Sequence, residues 1–442
     1  MSRGEDCSVG NLLTCVGVGI LLQSRDGLGR GQLMNSGGRQ GNAMHACRLV
    51  PMNQARFSWC AKEPVGESKR RTRKAYWKWG APGVDATGTL VDMSTKRNPA
   101  AGNAASSPER GDAKLEAAID NTPVAKADLC AKPTAEKLPG TAKNAKLVLA
   151  VEFFRGWGKD ILDGEALGDE LAGDLKKFLK ANKAELHFIR RPGRAGQDRE
   201  KLGTRQLFIA WADAERAGYN PEEPYTPILE EMQVASTRDL LDLDLSRPGA
   251  NAQAKTVDRN ILLVCTHARR DRCCAIFGRP VAAELSKDYD EVWESSHTKG
   301  HRFAPSMILL PSNYSFGRLT SEEARHMLDG AREQHLTFHN NRGRGTLTPP
   351  AQVAELQVAR HLLGVGIEPG LNDFASREID SEIVHDREGN KSKTVKVEVT
   401  HFPTQKGFRV HLVQTDPIEV LTSCGEPPKK QRGWKATVLE EI

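Results

Sequence analysis

The sequence predicts an α/β protein carrying an N-terminal extension without regular structure, and three observations lead there. From about residue 126, short apolar runs of strand length alternate with segments whose apolar residues recur at helical spacing, joined by short loops. Residues 1–125 hold no sustained period of 3.6 or 2 and are broken by Gly27-Leu-Gly-Arg-Gly31, Gly37-Gly38, Pro99 and a small polar run over residues 98–112. Charge divides the same way: 15 basic against 7 acidic side chains stand in residues 1–100, and 48 against 50 in the remaining residues. A nucleic-acid argument from net charge therefore concerns the extension alone. There Lys69-Arg70-Arg71-Thr72-Arg73-Lys74 precedes Tyr76, Trp77 and Trp79, which is expected to be a solvated tail, with Met93 as an alternative start of translation.

The elements follow in order. Lys146-Leu-Val-Leu-Ala-Val-Glu152 reads as a buried strand, and residues 163–182, with Leu167, Leu171, Leu175, Phe178 and Leu179, as a helix. Residues 186–190 and 206–211 are further strands and 236–241 a short helix, a βαββα-like unit. Next come a strand at 260–265, a helix at 280–287 opened by Pro280, and a strand at 291–294. Strands at 306–310 and 314–319 flank the turn Pro311-Ser312-Asn313, and Thr320 with Glu323 forms a capping box for the next helix. That β-α-β-β-β-α order matches a thioredoxin-like layout. A helix from Thr348-Pro349 to Gly364 follows, then a hairpin in which Val395, Val397 and Val399 face Phe408, Val410 and Leu412. No internal repeat is visible.

The longest apolar run, residues 12–22, contains Gly17 and Gly19 and falls short of the roughly 18 residues a spanning helix needs. Glu5 and Asp6 before it make a poor signal peptide, so a cytoplasmic protein is expected. Nine cysteines in 442 residues are too sparse for a disulfide scaffold. Five soft or borderline ligands gather within 37 positions: Cys265, Cys273, Cys274, His297 and His301. Two thiolates and two imidazoles fit either tetrahedral zinc or a 2Fe-2S cluster with two cysteines on one iron and two histidines on the other. The eight-residue gap between Cys265 and Cys274 is long for a zinc finger, and no Cys-x-x-Cys supports a thiol oxidoreductase. The plain alternative is that the cysteines are small buried hydrophobes. Gly-x-Ser-x-Gly, His-Glu-x-x-His and P-loop patterns are absent, and Glu152 with Asp160 and Asp163 is a pairing expected by chance.

Cys265-Thr-His-Ala-Arg-Arg-Asp-Arg-Cys-Cys274, Gly278-Arg279-Pro280, Ser296-His-Thr-Lys-Gly-His-Arg-Phe-Ala304 and Tyr314-Ser-Phe-Gly-Arg-Leu319 together resemble the sucrase/ferredoxin-like family. Leu138-Pro-Gly-Thr-Ala142, Gly156-Trp-Gly-Lys-Asp160 and Ser423-Cys-Gly-Glu-Pro-Pro428 extend the resemblance to residues 126–435. It implies a thioredoxin-like ferredoxin domain at 256–345, preceded by an α/β half at 126–255 and followed by a helix and hairpin segment at 346–442. It also implies a 2Fe-2S cluster on Cys265, Cys274, His297 and His301, serving one-electron transfer with donor and acceptor proteins rather than sugar hydrolysis. A structural zinc module for protein interactions is the alternative. Neither membrane nor, for the folded part, nucleic acid is an expected partner. His267 is expected to donate to a cluster sulfur or face solvent, Arg270 and Asp271 to pair and fix the loop, and Cys273 to be a spare thiol beside a ligand. Lys299 replaces the first glycine of the family's usual His-x-Gly-Gly-His, and its charge is expected to raise the potential. Cys424 reads as a structural feature of the tail.

Overall fold

The computed structural model describes residues 47–52, 55–60, 129–132, 135–193, 196, 199–385 and 391–442. The Lys69–Lys74 run and Met93 lie outside them. The extension, expected to lack regular structure, holds one hairpin: β1 (Cys47–Met52) and β2 (Ala55–Cys60) pair antiparallel, a local pairing too short for its pattern to show as a period. The remaining elements belong to a separate compact unit, residues 109–442.

This unit is mixed α/β, as the alternation predicts. Its first strand, β3 (Leu147–Glu152), is buried throughout, which explains its unbroken apolar run. Helix α1 (Asp169–Ala181) starts six residues later than its periodicity suggests. The Asp163 carboxylate accepts from the backbone N–H groups of Asp160 and Glu165 at 3.0 Å, and that local bonding holds residues 160–165 in turns. β4 (Ala184–Arg190) lies parallel to β3, while β5 (Arg205–Trp211), β6 (Ile228–Val234) and β7 (Lys255–Val257) add antiparallel on the other side. A short 3-10 turn, Thr237–Asp242, follows β6 behind a capping box from Ser236 and Asp239.

The second half repeats that plan. β8 (Ile261–Cys265) is followed by α2 (Arg279–Leu285) and by β9 (Val292–Ser295) parallel to β8. β10 (Ser306–Leu310) and β11 (Tyr314–Gly317) add antiparallel on the other side, ahead of α3 (Ser321–Arg332) and β12 (Asn341–Arg344). The expected capping box of Thr320 and Glu323 opens α3. The strand order β4-β3-β5-β6 in one half thus corresponds to β9-β8-β10-β11 in the other. Antiparallel pairing of β4 with β9, Ile189 opposite Ser295, joins them into one ten-stranded sheet. The repeat invisible in the sequence is one of topology.

Leu175 and Leu179 of α1 pack on Leu147, Leu149 and Val151 of one half, and α2 and α3 cover Leu262, Val264, Met307 and Leu309 of the other. The opposite face buries Val148, Ala150, Phe208, Ile261, Leu263 and Trp293 without a helix. Phe208 of β5 and Trp293 of β9 are three strands apart, about 14 Å in a flat sheet at about 4.8 Å per strand, yet their rings meet at 5.5 Å. The two side chains thus meet across the two intervening strands β4 and β3. Finally, α4 (Pro349–Gly364) packs against a four-stranded antiparallel sheet of β13 (Phe374–His385), β14 (Lys391–His401), β15 (Lys406–Gln414) and β18 (Trp434–Glu441). The expected hairpin is its centre. β16 (Ile418–Val420) and β17 (Lys429–Gln431) pair in the tail.

Candidate metal centre

β8 ends at Cys265, and the chain after it winds tightly. Asp271 N–H donates to the His267 carbonyl and Cys274 N–H to the Asp271 carbonyl, both at 3.2 Å. Cys274 then opens a π-helical turn, Cys274–Gly278, that runs into α2. This turn can approach the strand only because residue 278 is glycine: a Cβ there would lie 2.1 Å from the Cys265 carbonyl oxygen. The close approach brings the two thiols together, and both are fully buried.

The histidines come from the loop between β9 and β10. Lys299 (φ 60°) and Gly300 (φ 88°) both adopt left-handed conformations, a region that glycine enters without steric cost. A Cβ on Gly300 would also meet the Arg342 guanidinium at 2.5 Å. Arg342 is fully buried and donates to the Lys299 carbonyl and the Ser306 hydroxyl, each at 3.0 Å, and to the Thr141 hydroxyl at 3.1 Å. It ties the histidine loop to β10, to β12 and to the segment before β3.

His297 Nδ1 lies 3.9 Å from the Cys265 sulfur. The ligand atoms of Cys265, Cys274 and His297 all fall within 4.8 Å of one another. His301 stands outside that trio, with Nδ1 3.2 Å from His297 Nε2 and ring centroids 4.9 Å apart. Burial raises the Cys265 pKa, but the Cys274 thiol, His297 and the backbone N–H of His267 outweigh it and hold the thiol well below its ordinary value. Cys274 is pushed up by sharing that hydrogen bond, and by burial. The two buried thiols share one hydrogen bond. Burial lowers the His301 pKa against the opposing pull of Asp271, whose carboxylate lies 3.7 Å from Nε2.

Three expectations need correction. His267 does not face solvent: it is buried, its Nε2 donates to the Gly158 carbonyl at 2.8 Å, and Trp157 meets its ring edge-on at 5.6 Å. Asp271 does not pair with Arg270. Its buried carboxylate accepts from the backbone N–H groups of Cys273 and Cys424, both at 2.9 Å, and from the Ser423 hydroxyl at 3.1 Å. Arg270 instead lines a cleft of about 280 Å³ beside His297, together with Lys159, Lys176, Lys299 and the Lys143–Glu185 ion pair. Cys273 is no spare thiol next to the ligands, since it turns away from them toward Cys130 and Cys424.

The sequence reading missed two contributors. Arg342 lies 41 positions beyond His301 in a short polar strand, and nothing in its neighbours marks it. Cys130 is a lone cysteine in a polar stretch, 143 positions from the sulfur it meets.

Residues 138–345 match the family described as Sucrase/ferredoxin-like, a segment holding all four expected cluster ligands. The match is shorter than the resemblance over 126–435 and excludes Cys130 and Cys424. No curated protein and no solved structure matches the chain. Among the described residues no helix is long and apolar enough to cross a membrane.

Proposed function

We propose that the protein is a 2Fe-2S electron carrier in which Cys265 and Cys274 ligate one iron and His297 and His301 the other. One observation carries this reading: thiol adjoins thiol and imidazole adjoins imidazole, the division that a two-iron centre with mixed ligands requires. The strand order β9-β8-β10-β11, with a helix after β8 and another after β11, supports a thioredoxin-like fold for this half. Such a cluster supplies a one-electron couple, and neutral imidazoles in place of thiolates set it at about −150 to +300 mV rather than near −400 mV.

The chain's own groups perform the rest. Burial keeps water from Cys265 and Cys274, and the His267 backbone N–H stabilises the Cys265 thiolate. His297 is half-buried and lines the cleft, so the site reaches the surface there. The cationic rim of Lys159, Lys176, Arg270 and Lys299 suits an acidic surface on a donor or acceptor protein.

A single tetrahedral zinc is the second reading, favoured by the three donor atoms within 4.8 Å. Visible absorption with iron and zinc analysis, on protein purified without oxygen and again after dithionite, separates the two. About two irons per chain and bands that bleach on reduction are expected, whereas colourless protein with zinc lost on Cys265→Ala selects the second reading. In the cluster reading His297→Cys retains the cluster and lowers its potential by on the order of 100 mV; an unchanged potential removes His297 from the ligand set.

A further inference from the structure

Behind the proposed cluster site, three sulfurs from distant parts of the chain surround one carboxylate. Cys130 precedes β3, Cys273 lies in the loop after β8, and Cys424 lies between β16 and β17. Their sulfurs are 3.3 Å (Cys273 to Cys424), 3.6 Å (Cys424 to Cys130) and 3.7 Å (Cys130 to Cys273) apart. Asp271 Oδ1 is 3.2 Å from the Cys424 sulfur and 3.5 Å from that of Cys130. All four ligand atoms fall within 4.8 Å of one another.

These distances choose between chemistries. A disulfide needs about 2.05 Å between sulfurs, and all three cysteines are free. Three nearly equal separations single out no pair for oxidation. Around a tetrahedral zinc with bonds of about 2.3 Å to sulfur, neighbouring sulfurs stand about 3.8 Å apart, so the trio has to open by only tenths of an ångström. Backbone N–H groups already point at two of the sulfurs, from Cys130 to Cys424 and from Ala131 to Cys273, both at 3.4 Å. Such donors offset thiolate charge, and Ser423 together with the Cys424 N–H orients the carboxylate. Leu129, Ala304, Phe277 and Leu421 wall the group with apolar surface.

We propose that Cys130, Cys273, Cys424 and Asp271 bind one zinc ion as a structural site. Three thiolates and a carboxylate suit a thiophilic, tetrahedral cation over magnesium or calcium, and four protein ligands leave no position open for substrate. On binding, each S–H bond is exchanged for a zinc–sulfur bond and the thiol protons leave to solvent. The ion joins the segment before β3 and the tail to the loop after β8. Because Cys273 and Cys274 are neighbours facing opposite ways, it would also hold the loop that positions Cys274. The proposal uses none of the proposed cluster ligands and does not depend on that reading.

The test is iron and zinc analysis of the full chain, purified with zinc present and without chelators, as wild type, Cys130→Ala, Cys424→Ala and Cys265→Ala. Cys130→Ala and Cys424→Ala are each expected to hold about one zinc fewer per chain than wild type, while Cys265→Ala keeps that zinc, whether the Cys265 site takes iron or a second zinc. A wild type that takes up no zinc, or full zinc retained in Cys130→Ala and Cys424→Ala, overturns the proposal. Should those variants fail to fold, zinc X-ray absorption of the wild type decides. Three sulfurs at about 2.3 Å and one oxygen at about 2.0 Å support the site, and two sulfurs with two nitrogens overturn it.

Discussion

The two halves of the ten-stranded sheet share a strand order, yet among the described residues only one gathers thiols and imidazoles at its strand end. In the first half β3 ends in Glu152, a buried carboxylate that pairs with Arg199 at 2.9 Å and accepts from the Gln206 backbone N–H at 2.8 Å. In the second, β8 ends in Cys265. Sixteen residues separate β3 from α1, and that loop leans across to the other half, where Gly158 receives His267. Only eight residues separate Cys265 from Cys274, and the glycine at 278 lets that turn rest on the strand end. The common topology supplies a rigid strand terminus, and the length and closeness of the following turn decide whether a second thiol is brought against it.

The largest effect expected is on the strand ends themselves. Cys265→Ala should abolish metal binding at the thiol–imidazole site, read by iron analysis and visible absorption. At the corresponding position Glu152→Gln should leave metal content unchanged and cost only about 1–2 kcal/mol in urea unfolding, the loss of a charge-assisted hydrogen bond. Equal metal loss in both variants would mean that the two ends act as one unit.

Acid should act next, through the strand at the join. His187 of β4 is fully buried with no hydrogen-bond partner on Nδ1, and burial lowers its pKa to about 4. The folded chain keeps it neutral while the unfolded chain protonates near 6.5, so its contribution is complete above pH 6.5 and is lost as pH falls toward 4. At about 1.4 kcal/mol per pH unit this amounts to about 3 kcal/mol. Urea midpoints measured from pH 7 to pH 4.5 should fall less steeply in His187→Leu; parallel profiles would remove this histidine from the account.

The smallest expected effects have opposite signs in the two halves. Gly278→Ala places a methyl against the Cys265 carbonyl and should destabilise by about 2 kcal/mol while lowering metal content. Gly173→Ala, inside α1 with nothing within 4 Å of the new Cβ, should stabilise by up to about 1 kcal/mol. Thermal unfolding of both, with metal analysis, checks the pair, and matching signs would contradict the close-turn argument.

Much of this was legible in the chain, for reasons that particular elements make plain. β3, β8 and β10 are buried on both faces and carry unbroken apolar runs, and α3 announces itself through Thr320 and Glu323. β6 was not legible, because its Glu230 is buried to accept the Trp211 indole N–H at 2.7 Å and the Gly249 N–H, which hides the strand's apolar pattern. β13 and β18 are mostly exposed and show no apolar alternation. Cys265, Cys274, His297 and His301 stood out because a short turn and a short loop keep these side chains close in number as well as in space.

By itself the sequence determined the alternation of strands and helices, the strand that ends in Cys265, and the glycines without which the turn at 278 and the loop at 300 could not pack. These are local properties of periodicity, capping and backbone freedom. Only tertiary structure decided that β4 would pair with β9, that Arg342 would hold the histidine loop, and that Cys130, Cys273 and Cys424 would meet around Asp271. Those contacts join residues tens to hundreds of positions apart, where spacing carries no signal and burial of common surface chooses the partner.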